Sequence, residues 1–345
     1  MPSLDYANAR VRAMKARLLG PHGVLELLAQ SGLDARLDYL KKTDYGEAVA
    51  AQLARGPDAL RAAERGLRTR LLDDLLRIDR FLSGERVRVL FGAVLAFEDG
   101  WNLKTILRGV AQGEPAERTF LLLAPTPVLD DPALTELVGQ KEVKGVVDLL
   151  ATWMSPYAPP LTRALPKYLA HRELFLLEAA LDLFLFARAL EAARGDGEDG
   201  RILLRFLETQ IDLTNAGTLL KLAGAARGED LFVPGGRVLG SKRLGQLSAL
   251  GPQELREALA REGRLHLDPR LAAMGERADP FTVDQVLHQA LGEAMRNEAR
   301  VNPLSLAVPL VFVLERQAEV RRIRLVLRGA EFGIPADELL ALVES

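Results

Sequence analysis

The chain has 345 residues, 48% of them apolar and 27% charged, and a formal net charge of −2. That composition belongs to a folded globular protein and excludes a disordered one; Lys and Arg interleaved with Asp and Glu, and few aromatics, give no drive toward nucleic acid. Without cysteine there are no disulfides and no thiolate metal sites, which fits a cytoplasmic compartment.

The N-terminus, M-P-S-L-D-Y-A-N-A-R, lacks the charged-then-apolar pattern of a signal segment. Leu and Ala dominate the rest of the chain, and apolar residues recur at three and four, so the spacing predicts a mostly helical, all-α chain. A proline turn at Leu19–Leu25 leads into an amphipathic helical stretch, Leu27–Leu40. A long helix is expected through Asp99–Gly109; glycine at Gly113 stops it, and Pro115-Ala116 opens the next, with Glu117 in its first turn. A second proline turn, Leu123–Leu129, precedes the stretch Leu134–Leu150. The most apolar run, Leu174–Leu190, carries Glu178, Asp182 and Arg188 on one side. It falls short of the roughly 20 uninterrupted apolar residues of a membrane span and predicts a largely buried helix. Ala192–Gly200 reads as an exposed loop, and Gly224–Asp230 as a second. A third proline turn, Phe232–Leu239, leads into Leu244–Leu259. Pro303–Leu314 is too short to span a membrane. Near the end, Gly329, Gly333, Pro335, Ala336 and Asp337 repeat the stop-and-start signal of Gly109–Glu117 at an offset of 220.

The long helix occurs three times, at Asp99–Gly109, Asp212–Leu222 and Glu319–Gly329. The second copy lies 113 residues after the first and the third 107 after the second, without a gap. The period predicts three similar helical domains in a pseudo-threefold arrangement, with boundaries at 1–113, 114–226 and 227–345. Leu103, Ile106, Leu107 and Val110 form a core stripe; Ala216, Leu219, Leu220 and Ala223, then Ile323, Val326, Leu327 and Ala330, repeat it. Asp99 with Asn102, Asp212 with Asn215, and Glu319 with Arg322 project to the same side, one turn toward the N-terminus, while Lys104 and Arg108 project away. An acid on a core side is costly unless paired or wet. Either each acid ties its helix to a neighbouring element, with the Asn completing the bond set, or the three line a polar central cavity as axial or partner contacts.

Catalytic equipment is missing. His22, His171, His266 and His288 are far apart, without metal-ligand spacing. There is no P-loop and no G-x-S-x-G elbow, and the Gly235-Gly236 and Gly240 pattern reads as a turn. The expectation is therefore no catalytic residue, no metal and no cofactor. A helical-repeat scaffold in the cytoplasm and a helical enzyme with scattered acids remain the alternatives.

Tyr6–Lys15 (Y-A-N-A-R-V-R-A-M-K), Leu37–Tyr45 (L-D-Y-L-K-K-T-D-Y), the Asp99–Gly109 helix and the C-terminal P-L-S-L…E-R-Q-A-E-V-R-R-I-R-L-V-L-R-G together resemble the C subunit of V/A-type ATPases, the counterpart of the eukaryotic d subunit. The resemblance spans the whole chain. It departs where Arg322 replaces the asparagine of the other copies, where Arg316 stands for a usual lysine, and where Phe312 stands for a tyrosine. It implies a funnel of three helical domains that sits as a non-catalytic central-stalk socket on the membrane proteolipid ring and receives the shaft (D- and F-type subunits). It further implies a single copy in a hetero-complex, peripheral on the cytoplasmic face, with no span of its own and no nucleic acid.

Overall fold

The computed structural model describes residues 4–56, 58–195, 197–221, 232–265, 267 and 280–344. Gly224–Asp230, His266, Leu222 and Ala223 therefore lie outside the described residues. Among those described, the chain is all-α. Helices α1 to α4 are Asp5–Lys15, Gly20–Leu28, Gly32–Leu40 and Gly46–Leu53. Two long helices follow, α5 (Ala59–Phe81) and α6 (Glu85–Gln112), then α7 (Ala116–Phe120), α8 (Asp131–Val138), α9 (Val143–Thr152) and α10 (Ala158–His171). The second half contains α11 (Phe175–Ala193), α12 (Glu198–Lys221), α13 (Ser241–Ser248), α14 (Pro252–Ala260), α15 (Pro280–Val301), α16 (Ala307–Glu331) and α17 (Ala336–Glu344).

The first and third repeated segments lie within longer helices, α6 and α16, and the described part of the second, to Lys221, lies in α12. Their stripes are core, with Leu103, Ile106, Leu107, Ala216, Ile323, Val326 and Leu327 fully buried. The first and third stop alike. Gly113 and Gly333 both adopt φ of 67°, where a side chain is strained, and the amides of Glu114 and Ile334 close back on the carbonyls of Gly109 and Gly329. The repeated glycine, proline and alanine thus form the same left-handed stop and restart.

Each amphipathic stretch after a proline turn is two helices, not one. Leu27–Leu40 breaks between α2 and α3, Leu134–Leu150 between α8 and α9, and Leu244–Leu259 between α13 and α14. Gly32, Gly139 and the Gly251-Pro252 pair stand at these breaks; continuous apolar spacing concealed them, because a tight corner between short helices keeps one face toward the core. Ala192–Gly200 is also more helical than expected. α11 runs to Ala193 and α12 starts at Glu198, where Glu198 and Asp199 suit a helix N-terminus. Asp199 in addition accepts the Leu306 amide at 2.8 Å.

The apolar core falls into two groups. One, spanning Leu103–Leu185, is built on α6 and α8 to α11. The other takes residues from Leu4–Val94, Ala124 and Phe186–Val343, so the two ends of the chain share one core. α1 is held against the start of α16, with Asn8 donating to the Ser305 carbonyl at 3.2 Å and Lys15 pairing with Glu315 at 2.7 Å. α5 gives its apolar face to this second group and is heavily charged elsewhere along its buried length. Its Glu64 meets Arg324 and Arg328, Arg68 meets Glu98, Arg65 meets Asp131, and Arg70 and Asp74 meet each other. Arg65 and Arg68 also stack over the rings of Phe120 and Trp101, at 3.9 and 3.7 Å.

α4 crosses α5 at Gly66, where a Cβ would fall against backbone atoms of Ala48 and Val49. Those atoms have no rotamer with which to give way. Gly66→Ala should therefore lower unfolding free energy by about 1–3 kcal/mol, as overpacking does. Urea denaturation checks this, and an unchanged midpoint would show that the crossing relaxes freely.

Candidate functional site on the repeated helices

On α6, Asp99 and Asn102 are three residues apart and both face the second proline turn. Asn102 clamps the Ala124 peptide from both sides, its amide donating to the carbonyl at 2.7 Å and its oxygen accepting from the N–H at 3.3 Å. Asp99 accepts from the Thr126 hydroxyl on one oxygen and from the Tyr157 hydroxyl, at 2.6 Å, on the other. Thr126 in turn accepts the Leu129 amide at 2.9 Å, so the carboxylate organises the turn through a hydroxyl.

α12 repeats the arrangement with different donors. Asn215 clamps the Val233 peptide, at 2.8 Å to both its N–H and its carbonyl. Asp212 accepts three consecutive amides of the third proline turn, Arg237 at 2.9 Å and Val238 and Leu239 at 2.8 Å. A Cβ on Gly236 would collide with the Asp212 carboxylate, so the turn approaches this closely only with glycine there.

α16 repeats it a third time, with its partner at the other end of the chain, and that partner is a helix start: the expected proline turn Leu19–Leu25 is the opening of α2, with Pro21 in the first helical turn, where its missing N–H costs little. Glu319 accepts the Gly20 amide at 2.8 Å and the Tyr45 hydroxyl at 2.7 Å. Arg316 lies 3.4 Å away and also pairs with Asp44 and Asp74, at 2.7 and 2.8 Å. Arg322 does not replace the asparagine clamp. It is half-buried beside a cavity of about 570 Å³ that Gly20 and Glu319 also line. A base from α3 binds this helix instead, the buried Arg36, which donates to the Val326 carbonyl at 2.6 Å and to the carbonyls of Leu28 and Gln30.

The six expected positions thus lie in three separate places, each acid bonded to its own turn. What converges is a different set. Phe97, Gln210 and Gln317, two residues before each acid and separated by the same 113 and 107, line one cavity of about 600 Å³. Lys104 and Arg108 face this cavity from α6, paired with Asp182 and Glu178 of α11; Arg108 is bidentate at 2.6 and 2.9 Å. Among the described residues there is no cluster of side chains able to hold a metal ion.

Periodicity along the helices does not reveal the two tyrosines. Thr43-Asp44-Tyr45-Gly46 and Ser155-Pro156-Tyr157-Ala158 share one local geometry, in which the hydroxyl of Thr43 or Ser155 accepts the tyrosine amide and its carbonyl accepts the next. The available signal was [ST]-x-Y-[GA] recurring at 112, close to the helix period.

Burial raises the pKa of all three repeated acids, and their donors oppose it only in part: Thr126 and Tyr157 for Asp99, the turn amides for Asp212, and Tyr45, Gly20 and Arg316 for Glu319. Burial also pushes Tyr157 up, with the Asp99 charge adding to it. Glu64 goes the other way, because Arg328 and Arg324 outweigh its burial.

Residues 7–342 match the family described as ATP synthase (C/AC39) subunit. Among curated proteins, the chain is 27% identical over 343 residues to the C subunit of the V-type ATP synthase of Deinococcus radiodurans, covering 99% of this chain and 91% of that one. It is 28% identical over 342 residues to the C subunit of the A-type ATP synthase of Halorubrum lacusprofundi (97% and 95% covered). To the A-type C subunit of Thermococcus onnurineus it is 27% identical over 349 residues (98% and 89% covered).

Tyr157→Phe leaves one Asp99 oxygen without a donor and should cost about 1–3 kcal/mol. Tyr45→Phe should cost less, because Glu319 keeps Arg316. Comparing the two in one denaturation series checks this, and the reverse order would contradict the assignment. A second expectation concerns pH. A raised folded pKa means that the folded state holds the proton more tightly, so the stability present below the ordinary aspartate range is lost as pH rises through the raised value. From about pH 4 upward, the parent should therefore lose stability relative to Asp99→Asn. A difference that stays constant with pH would show that Asp99 does not titrate in this window.

Proposed function

The chain belongs to the ATP synthase (C/AC39) subunit family, and from that membership we propose that it is the non-catalytic central-stalk socket of a V/A-type rotary ATPase, coupling the rotor shaft to the membrane proteolipid ring in ATP-linked ion transport. The observation that carries this reading is the shared cavity, onto which three equivalent helices converge through Phe97, Gln210 and Gln317. A part that transmits torque needs a receptacle for the shaft and walls that do not yield. The carboxylate and asparagine ties, each joining a long helix to a separate turn, supply such walls.

In this proposal the three-part organisation is a set of units, each a long helix tied to a separate segment: α6 with the turn at Leu123–Leu129, α12 with that at Phe232–Leu239, and α16 with the start of α2 at Gly20. These units are offset from boundaries at 113 and 226, and the last is closed by the N-terminus. Asp99, Asn102, Asp212, Asn215 and Glu319 then act on partners through rigidity, and Arg322, which shares a cavity with Glu319, makes no such tie. The partners are D- and F-type shaft subunits and the proteolipid ring, and the position is peripheral, on the cytoplasmic face. No helix among the described residues is long and apolar enough to cross a membrane.

Detergent extraction with a tagged chain tests the reading. Ring and shaft subunits should be retained together, and recovery of the tagged chain alone from membranes holding the assembled ATPase would overturn it. Gln210→Trp, placed in the cavity, should lower shaft retention about tenfold at an unchanged melting temperature, while the ring stays bound. Equal retention would move the shaft contact elsewhere.

A further inference from the structure

Six arginines gather where α1, α5, α6 and α11 come together, and the helix-to-turn ties use none of them. Arg10 of α1 and Arg17 just past its end, with Arg77 and Arg80 of α5, surround a recess of about 280 Å³ beside Phe81. Arg80 and Phe81 also border a groove of about 1210 Å³, which Arg88 of α6 and Arg188 of α11 line further along. The two recesses therefore form one continuous surface. Among the described residues, no carboxylate forms an ion pair with any of the six. Their contacts are weak ones: Arg10 over the Phe81 ring at 5.2 Å, Arg188 near the Phe184 ring at 5.6 Å, and Arg88 donating to the Leu82 carbonyl at 3.1 Å. The lining carboxylates are Asp79, Glu85 and Asp99, and Asp99 already accepts on both oxygens. Asp73, on the same helix as Arg77 and Arg80, feels their charges, so six guanidiniums face four carboxylates, on a chain whose net charge is −2.

The surface is not purely charged. Val89 and Val128, 48% and 52% exposed, stand in the groove, and Tyr6, 63% exposed, stands edge-on to Phe81. Between the valines and the arginines, α6 presents Gly92, Ala93 and Ala96, and a Cβ on Gly92 would meet nothing. Unpaired guanidiniums around an apolar trough with a small-residue wall match a ligand that has carboxylates on its flanks and an apolar edge. A flat bilayer touches the rim of such a groove without reaching its wall, and Asp79 and Glu85 would face its headgroups.

We propose that this arginine-lined groove docks an acidic amphipathic segment of another protein subunit. The inference rests on the reading of the chain as part of a rotary ATPase, and it concerns a surface separate from the shared cavity.

The test places a photo-crosslinking amino acid at Val89 in the full chain within the purified ATPase complex. The cross-linked partner is identified by mass spectrometry. The expected product is a peptide of another subunit with at least two carboxylates within about one helical turn of the linked residue. The paired substitution Arg80→Glu with Arg188→Glu should cut the yield about tenfold, and Arg80→Lys with Arg188→Lys should retain most of it, all at the parent melting temperature. A cross-link to lipid, to a segment without carboxylates, or to no protein would overturn the proposal, as would a yield indifferent to charge reversal. Presence of the parent chain in the purified complex reports separately on the socket function, so the two readings fail independently.

Discussion

A carboxylate buried on the flank of a long helix has no donors of its own, because the helix has spent its amides internally. It must take them from whatever chain segment lies alongside. That constraint acts three times here and places three turns. Asp212 satisfies it entirely with backbone amides, Asp99 with two hydroxyls, and Glu319 with one amide, one hydroxyl and a nearby guanidinium. The chemistry of the donors varies while the direction of the tie does not. A turn that shifted by one residue would leave a charge buried without partners, so register is strongly specified where apolar packing alone would tolerate sliding.

The same requirement closes the molecule end to end. α16 finds its amide donor at Gly20, where α2 begins, and its tyrosine at Tyr45, 299 and 274 residues away in sequence. Around this junction Arg316, fully buried, reaches Asp44, Asp74 and Glu319, and its guanidinium lies 4.9 Å from the centre of the Tyr45 ring. Buried ion pairs add little net stability compared with apolar residues of equal size, but breaking one leaves an uncompensated charge. Their contribution here is positional: α5, through Glu64, Arg70 and Asp74, locks Asp44 and the last long helix into one arrangement, and through Arg68 it holds α6 at Glu98.

Rigidity of that kind suits a part that passes mechanical load between two others. Close-packed Leu and Ala supply stiffness against compression, and the ties resist shear between a helix and its turn. In the proposed role the shared cavity is the receptacle, and the arginine-lined groove has a separate set of lining residues. The raised pKa values of the three repeated acids follow from their burial at structural junctions.

The sequence alone determined the helices, the threefold recurrence, the glycine stops and the buried stripes, because periodicity, capping and left-handed backbone are local properties written within a few residues. It also determined that Asp99, Asp212 and Glu319 each needed a partner, since an acid on an apolar flank is a local contradiction. Only the tertiary structure decided which partner answered. Nothing near residue 319 points to Gly20 or Tyr45, and nothing in copies one and two announces that Arg36, from another helix, would take over in the third. The breaks inside Leu27–Leu40, Leu134–Leu150 and Leu244–Leu259 escaped for the complementary reason: a corner between two short helices can preserve the apolar spacing of one long helix. Convergence of Phe97, Gln210 and Gln317 on one cavity likewise depends on how three helices lean together, and side-chain spacing along a single helix carries no record of that angle.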